Sequence, residues 1–214
     1  MSRIVIFGAG GRAGRQAVAE ARRRGHGVTA VVREPARYAG LADGGVRIAA
    51  GDVTDAADVA ALADGHDAAI NAAAVYGEGT DPDTFFTSAA HALVEGLRQA
   101  EVDRLVTVGL SSLLPGPDGT RLLDAPGFPA EFRPFCLAHA AGLEVLRAQG
   151  GALDWVYVSP AGDFDHEGER TGHYDTREHG DMAARISYAD FALSLLDEVE
   201  AETLRHGRSH LAVT

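Results

Sequence analysis

The sequence contains no lysine; all 19 of its basic residues are arginine. That absence removes several chemistries at once: a Schiff-base lysine, an anchor for pyridoxal phosphate, a phosphate-loop lysine and any tyrosine–lysine acid pair. Cysteine is almost as scarce. Cys136 stands alone, which rules out an intramolecular disulfide and a multi-cysteine zinc site. No apolar run approaches the roughly 18 residues that suggest a membrane span. Met1-Ser2-Arg3 leads directly into an apolar strand, without the long apolar region and small-residue cleavage site of a signal peptide, so a cytoplasmic protein is expected. Positive charge is outnumbered, 19 basic against 31 acidic residues, for a formal charge of −12. Such a surface repels phosphate backbones and anionic lipid, so neither nucleic acid nor membrane is an expected partner. A nucleotide-sized ligand is compatible with this charge, because its site needs only local positive potential.

What is present is a regular alternation of apolar runs and helical patterns in an otherwise ordinary soluble composition, 46% hydrophobic. Residues 3–7 read as a buried strand, 12–24 as a helix ending near Gly25, 28–32 as a second strand and 46–50 as a third. Residues 55–64 suit a helix with Thr54 as N-cap. A strand at 67–72, a long helix at 82–100 and a strand at 104–108 follow. After a proline- and glycine-rich loop at 110–129 come a helix at 133–149, a strand at 153–158 and a polar loop at 159–181. Ser187 caps a last helix reaching about residue 200, and 210–213 form a final strand. Strands alternating with helices imply right-handed crossovers and a parallel sheet covered on both faces. The expected fold is α/β: one doubly wound parallel sheet of Rossmann type. It spans 1–214 as a single domain, with a small substrate region built from the two long loops.

The strongest motif is Gly8-Ala9-Gly10-Gly11-Arg12-Ala13-Gly14, which follows the first strand and opens the first helix. It fits both Gly-x-Gly-x-x-Ala and Gly-x-x-Gly-x-x-Gly. Glycine permits positive φ and close approach of backbone to ligand, and the helix mouth presents free N–H groups to a diphosphate. The surrounding strand, turn, helix and strand stand where a dinucleotide site needs them. At the end of the second strand an NAD-specific site expects an acid for the ribose hydroxyls. Arg33 stands there instead, with Arg12 and Arg37 near enough in sequence to assist, and a guanidinium holds a 2′-phosphate bidentately. The expected cofactor is therefore NADP(H), ahead of NAD(H); Glu34 beside Arg33 is the contrary signal. Asp52 and Val53 after the third strand suit the adenine, or Asp52 caps the next helix. Ala72 and Ala73 after the fourth strand let backbone pass close to the cofactor ribose, or serve packing.

These segments resemble a known family. Residues 4–14, 28–33 and Gly51-Asp52-Val53-Thr54 look like the atypical short-chain dehydrogenases with NAD(P)H-binding domains. The branch resembled is that of NADH-flavin reductase-like and biliverdin reductase B-like proteins, with NmrA-like regulators further off. Leu153-Asp154-Trp155 through Ser159-Pro160, residues 168–172 and Ile186-Ser187-Tyr188-Ala189-Asp190 resemble it too, so the likeness spans nearly the whole chain. The resemblance implies that Gly8, Gly11 and Gly14 shape the diphosphate turn, that Arg33 holds the 2′-phosphate and that Ser111 and Ser112 sit near the nicotinamide. Where many relatives carry Tyr-x-x-x-Lys, this chain carries Phe135-Cys136-Leu137-Ala138-His139.

Ligands of open parallel sheets bind beyond the carboxyl ends of the strands. The remaining chemical candidates are therefore Tyr76, to stack on a planar substrate; Ser111 and Ser112, as hydrogen-bond donors or turn caps; and His139, as a general acid or a packed histidine. His166, His173 and His179 match no metal-ligand frame, and no metal is expected. A flavin, quinone or similar planar acceptor needs little acid help, which suits a reductase without the tyrosine–lysine pair. The alternatives are an NmrA-like redox sensor that binds NADP(H) without turnover, and an NAD-dependent epimerase or dehydratase. The 110–130 and 159–181 loops are expected to close the substrate site together. The oligomeric state is not legible.

Overall fold

The computed structural model describes residues 1–202 and 209–214. Its elements run β1 (Arg3–Phe7), α1 (Arg12–Arg23), β2 (Gly27–Val32), β3 (Arg47–Ala50), α2 (Ala56–Ala63), β4 (Ala68–Asn71), α3 (Pro82–Gln99), β5 (Arg104–Val108), α4 (Arg133–Gln149), β6 (Asp154–Pro160), β7 (Asp163–Asp165), β8 (Thr176–Arg177), β9 (Arg185–Ser187), α5 (Tyr188–Glu200) and β10 (Ser209–Val213). The main sheet has the order β3-β2-β1-β4-β5-β6-β10-β8. Its pairs are parallel except for the short edge strand β8, which runs antiparallel to β10. The order reverses direction between β1 and β4, the switch point at which open α/β sheets bind ligands.

Alternation along β1 explains the two apolar layers. Ile4 and Ile6 face one side and pack with Ala17, Val18 and Ala21 of α1 and Phe191, Leu195 and Leu196 of α5. Val5 and Phe7 face the other and pack with Val59 of α2, Leu93 and Leu97 of α3, and Leu143 and Leu146 of α4. Burial on both faces is why these strands are continuously apolar, and truncating one such leucine to alanine costs about 2–5 kcal/mol.

The element pattern read from the sequence stands, with three corrections. Asp55, not Thr54, caps α2: its carboxylate accepts from the N–H groups of Ala57 and Asp58. The stretch between β2 and β3 contains 3₁₀ turns over Pro35–Gly45, begun by Pro35 and bent where Gly44 and Gly45 take positive φ. The polar loop after β6 carries β7, which pairs in parallel with β9 as a separate two-stranded ribbon, and β8.

That ribbon begins a strap held against the helices by one carboxylate. Asp190, buried on the first turn of α5, accepts from the Thr171 N–H at 3.0 Å, the Gly172 N–H at 2.8 Å, the Thr171 hydroxyl at 2.9 Å and the Ser187 hydroxyl at 3.0 Å. Burial alone would raise this carboxyl, but the bonds from Thr171, Gly172 and Ser187 outweigh it and hold the group below its ordinary value. Its contribution is therefore complete above the unfolded carboxyl range near about 3.9 and lost only as pH falls through the lower folded value. Asp190→Ala is expected to cost about 2–4 kcal/mol in denaturant unfolding near neutral pH and to open residues 163–172 to limited proteolysis.

Candidate functional site

The turn after β1 is shaped by contacts that admit no side chain. Gly8 has φ +73°, and a Cβ there would lie 2.4 Å from the Ala73 backbone nitrogen. A Cβ on Gly14 would lie 2.2 Å from the Gly8 carbonyl oxygen. The turn is pinned by the Ala9 N–H to the Val31 carbonyl at 3.2 Å and the Gly11 N–H to the Gly8 carbonyl at 3.0 Å. The first N–H groups of any helix lack intrahelical partners. On α2, α3 and α5 the side chains of Asp55, Asp81 and Ser187 accept from them. On α1 the N-cap is Gly11, which has no side chain to offer, and the first turn contains no acid. Its open donors, the helix dipole and Arg12 make a mouth suited to an anion.

A cleft of about 590 Å³ opens from this mouth along the carboxyl edge of the sheet. Gly8, Gly10, Gly11, Arg12 and Ala13 form its floor, Arg33 and Arg37 its wall beside β2, Asp52 and Val53 its wall beside β3, and Ala72 and Ala73 its wall after β4. Tyr76 and Phe85 line the other end. Gly14 stands behind the floor, setting the helix against the turn. Asp52 accepts from both the N–H and the hydroxyl of Thr54, at 2.9 and 2.7 Å, so it also orders the turn before α2. Glu34 is bonded by Arg37 at 3.2 Å, whereas Arg33 has no ion-pair partner among the described residues. Val31, Tyr38, Val108 and Tyr188 are among the other residues that line it. None of these four carries a chemical signal of its own in the sequence: Val31 and Val108 are generic strand residues, Tyr38 lies in the unanticipated 3₁₀ stretch, and Tyr188 stands out only within the family-like segment 186–190.

The other candidates lie elsewhere. Ser111 and Ser112 are buried in a short 3₁₀ turn after β5 and do not line the cleft. Ser112 neighbours the Cys136 thiol, which burial pushes up. His139 is also outside the cleft, within a polar row buried in the apolar layer. Pairing register sets Asn71, Thr107, Tyr157 and His210 side by side across β4, β5, β6 and β10. His139 Nδ1 is bonded to the Tyr157 hydroxyl, and His210 Nε2 lies 2.6 Å from the Ser159 hydroxyl. Burial, with a smaller contribution from His210, pushes His139 down to about 3, so it is neutral in the physiological range and accepts the tyrosine proton. Burial raises the Tyr157 hydroxyl in turn. A void of about 20 Å³, enough for one water, lies against Thr107, His139 and Tyr157, and it shares Ala73 and Val108 with the cofactor cleft as common walls.

The two long loops do not jointly cover this cleft. They meet one another at the Gly180 N–H to Pro115 carbonyl bond of 2.8 Å, where Leu122 packs on Gly180, and border a separate cleft near β8. Only the strap after β6 reaches the cofactor side, through a contact of His166 Nδ1 with the Arg12 guanidinium. Among the described residues, no group of three His, Cys, Asp or Glu side chains converges as a metal set, and no helix is long and apolar enough to cross a membrane.

A parallel sheet with an uncapped helix mouth at its switch point, a glycine turn that excludes side chains and arginines along the rim defines a dinucleotide-binding α/β protein. The sequence pattern of the NAD(P)H-binding family matches residues 8–199, and the chain belongs to that family. It is 35% identical over 207 residues to the uncharacterised protein YwnB of Bacillus subtilis, covering 92% of each chain. Two solved structures are similar over essentially their full length. One, from Burkholderia pseudomallei, is named a "putative exported protein"; it is 34% identical, with 100% of both chains covered and a TM-score of 0.83. The other, from Streptococcus pneumoniae TIGR4, is named a "putative NADH-flavin reductase"; it is 32% identical, with 100% of this chain and 99% of that one covered and a TM-score of 0.81.

The His139–Tyr157 pair makes one structural claim testable. Tyr157→Phe removes the donor and leaves a buried imidazole nitrogen unsatisfied. It is expected to cost about 1–3 kcal/mol in thermal or denaturant unfolding while leaving dinucleotide affinity within about twofold of wild type, because the pair lies outside the cleft.

Proposed function

We propose that the protein is an NADPH-dependent oxidoreductase that transfers hydride to a flavin, a quinone or a similar planar acceptor. The observation that carries the NADPH preference is the wall beside β2. An NAD site would set a carboxylate there. Here the acid that follows Arg33, Glu34, is engaged by Arg37, while Arg33 has no ion-pair partner among the described residues at the cleft rim. Bound there, the nicotinamide supplies the hydride; the chain binds, orients and shields it. The glycine turn and α1 mouth hold the diphosphate, Val53 packs at the adenine end, and the small side chains of Ala72 and Ala73 let the backbone approach the ribose.

The planar acceptor is supported by the aromatic end of the cleft. Tyr76 is 73% exposed, an unusual setting for a large ring, and it meets Phe135 edge-on with centroids 5.6 Å apart. Phe85 lines the same end and packs edge-on against Phe86 at 5.3 Å. Rings so arranged offer faces and edges for stacking. Phe135, at the position where many relatives carry the tyrosine acid, has no proton to give, and a conjugated acceptor is the substrate class whose reduced anion depends least on one. The likeness to a protein named as an NADH-flavin reductase supports the same class of acceptor. Partners are then small molecules rather than nucleic acid or membrane, in keeping with the acidic surface.

Arg33→Ala is expected to weaken NADPH binding at least tenfold while changing NADH binding less than twofold, as measured by fluorescence titration; equal losses for both would overturn the 2′-phosphate assignment. Wild-type protein mixed with NADPH and a panel of flavins and quinones is expected to consume the nicotinamide absorbance steadily with at least one acceptor. Saturable binding without turnover on any acceptor would favour a sensor over a reductase.

A further inference from the structure

We propose that His166 is a diphosphate-binding residue of the dinucleotide site, facing Arg12 across the mouth of α1. This rests on the diphosphate lying over residues 8–14 and is separate from the choice of acceptor. The strap that carries His166 is fixed at both ends. Upstream, β7 pairs with β9, and the Phe164 ring stacks on Tyr188 with centroids 4.1 Å apart and planes 11° from parallel. Downstream, Thr171 and Gly172 are held by Asp190, and Arg170 reaches Glu20 of α1 at 3.5 Å. Between these anchors His166 is delivered to the cleft rim. Its ring packs 5.6 Å from Tyr188 and its Nδ1 meets the guanidinium of Arg12; Arg12 and Tyr188 are both cleft residues.

The chemistry of that contact points to an anion. A guanidinium only donates, so a neutral imidazole accepts from it, whereas an imidazolium cannot. With a phosphate between the two, the guanidinium and an imidazole N–H both donate to it. The diphosphate held by the open N–H groups of α1 is such a phosphate. The other titratable groups at hand are Asp165 and Glu167 on the strap itself and Tyr188 on α5; one Asp165 oxygen is already engaged by the Glu167 N–H at 3.1 Å. Arg33 acts from the β2 side on the 2′-phosphate alone, whereas His166 acts on a group that NAD and NADP share.

Calorimetric titration of the full chain with NAD⁺ and with NADP⁺ tests this. His166→Ala is expected to weaken both nucleotides about tenfold, with an unchanged melting temperature of the free protein because His166 is exposed. NAD⁺ has no 2′-phosphate, so a loss of NAD⁺ affinity reports a contact to the group that the two nucleotides share. The inference is overturned if His166→Ala binds NAD⁺ as wild type does or if only NADP⁺ binding suffers. Wild-type protein that binds neither nucleotide would overturn the dinucleotide reading itself, and this inference with it.

Discussion

The donors at the start of α1 have no side chain to receive them, and much of the surrounding structure keeps that space open. A capping serine or aspartate at position 11 would satisfy the helix and fill the mouth. Gly11 does neither, and Arg12 adds positive charge where the helix dipole already favours an anion. Holding the mouth open requires close backbone packing behind it. Gly14 lets α1 press on the Gly8 carbonyl, and Gly8 lets the turn pass against Ala72 and Ala73. A methyl group at either glycine would meet backbone rather than a movable side chain, so these positions constrain the whole switch point. β1, β2 and β4 converge on it through the bonds that pin Ala9 to Val31 and Ala72 to Phe7.

Around this fixed centre the cleft is graded in chemistry. Its β2 side is cationic, its middle is backbone and small side chains, and its far end is aromatic. That sequence of environments suits a nicotinamide dinucleotide, with a ribose at one end, a diphosphate in the middle and a planar redox ring at the other. The hydrogen-bonded pair His139 and Tyr157 lies in the apolar layer instead of the cleft, and burial holds both in their neutral forms. The proposed hydride transfer to a conjugated acceptor is compatible with such a division, since it calls on alignment rather than acid strength.

Much of this was legible in the sequence because it depends on local rules. Continuous apolar strands, the glycine turn and Arg33 at the strand end each have a physical meaning at their own position, and Ser187 announced α5. What could not be read depends on distance. His139 looks like an available acid until Tyr157, eighteen residues on, is set against it by the packing of α4 on β6. Ser111 and Ser112 follow the right strand but turn inward. Asp55 displaced Thr54 as the cap because both are capping residues one position apart, and only backbone geometry chooses between them. The pairing of β7 with β9 joins two short polar segments twenty-two residues apart, with too few residues in either for a periodic signal. The strap's hold on Asp190 and its reach to Arg12 arise from that pairing, so neither was visible beforehand.

The most direct measurement is a calorimetric titration of the wild-type protein with NADPH, accompanied by its melting temperature with and without the nucleotide. Saturable, equimolar binding with a clear rise in melting temperature is the expected result, because a ligand that binds only the folded state must stabilise it. No heat and no stabilisation with saturating NADPH or NADH would contradict the claim that the mouth of α1 is a diphosphate site.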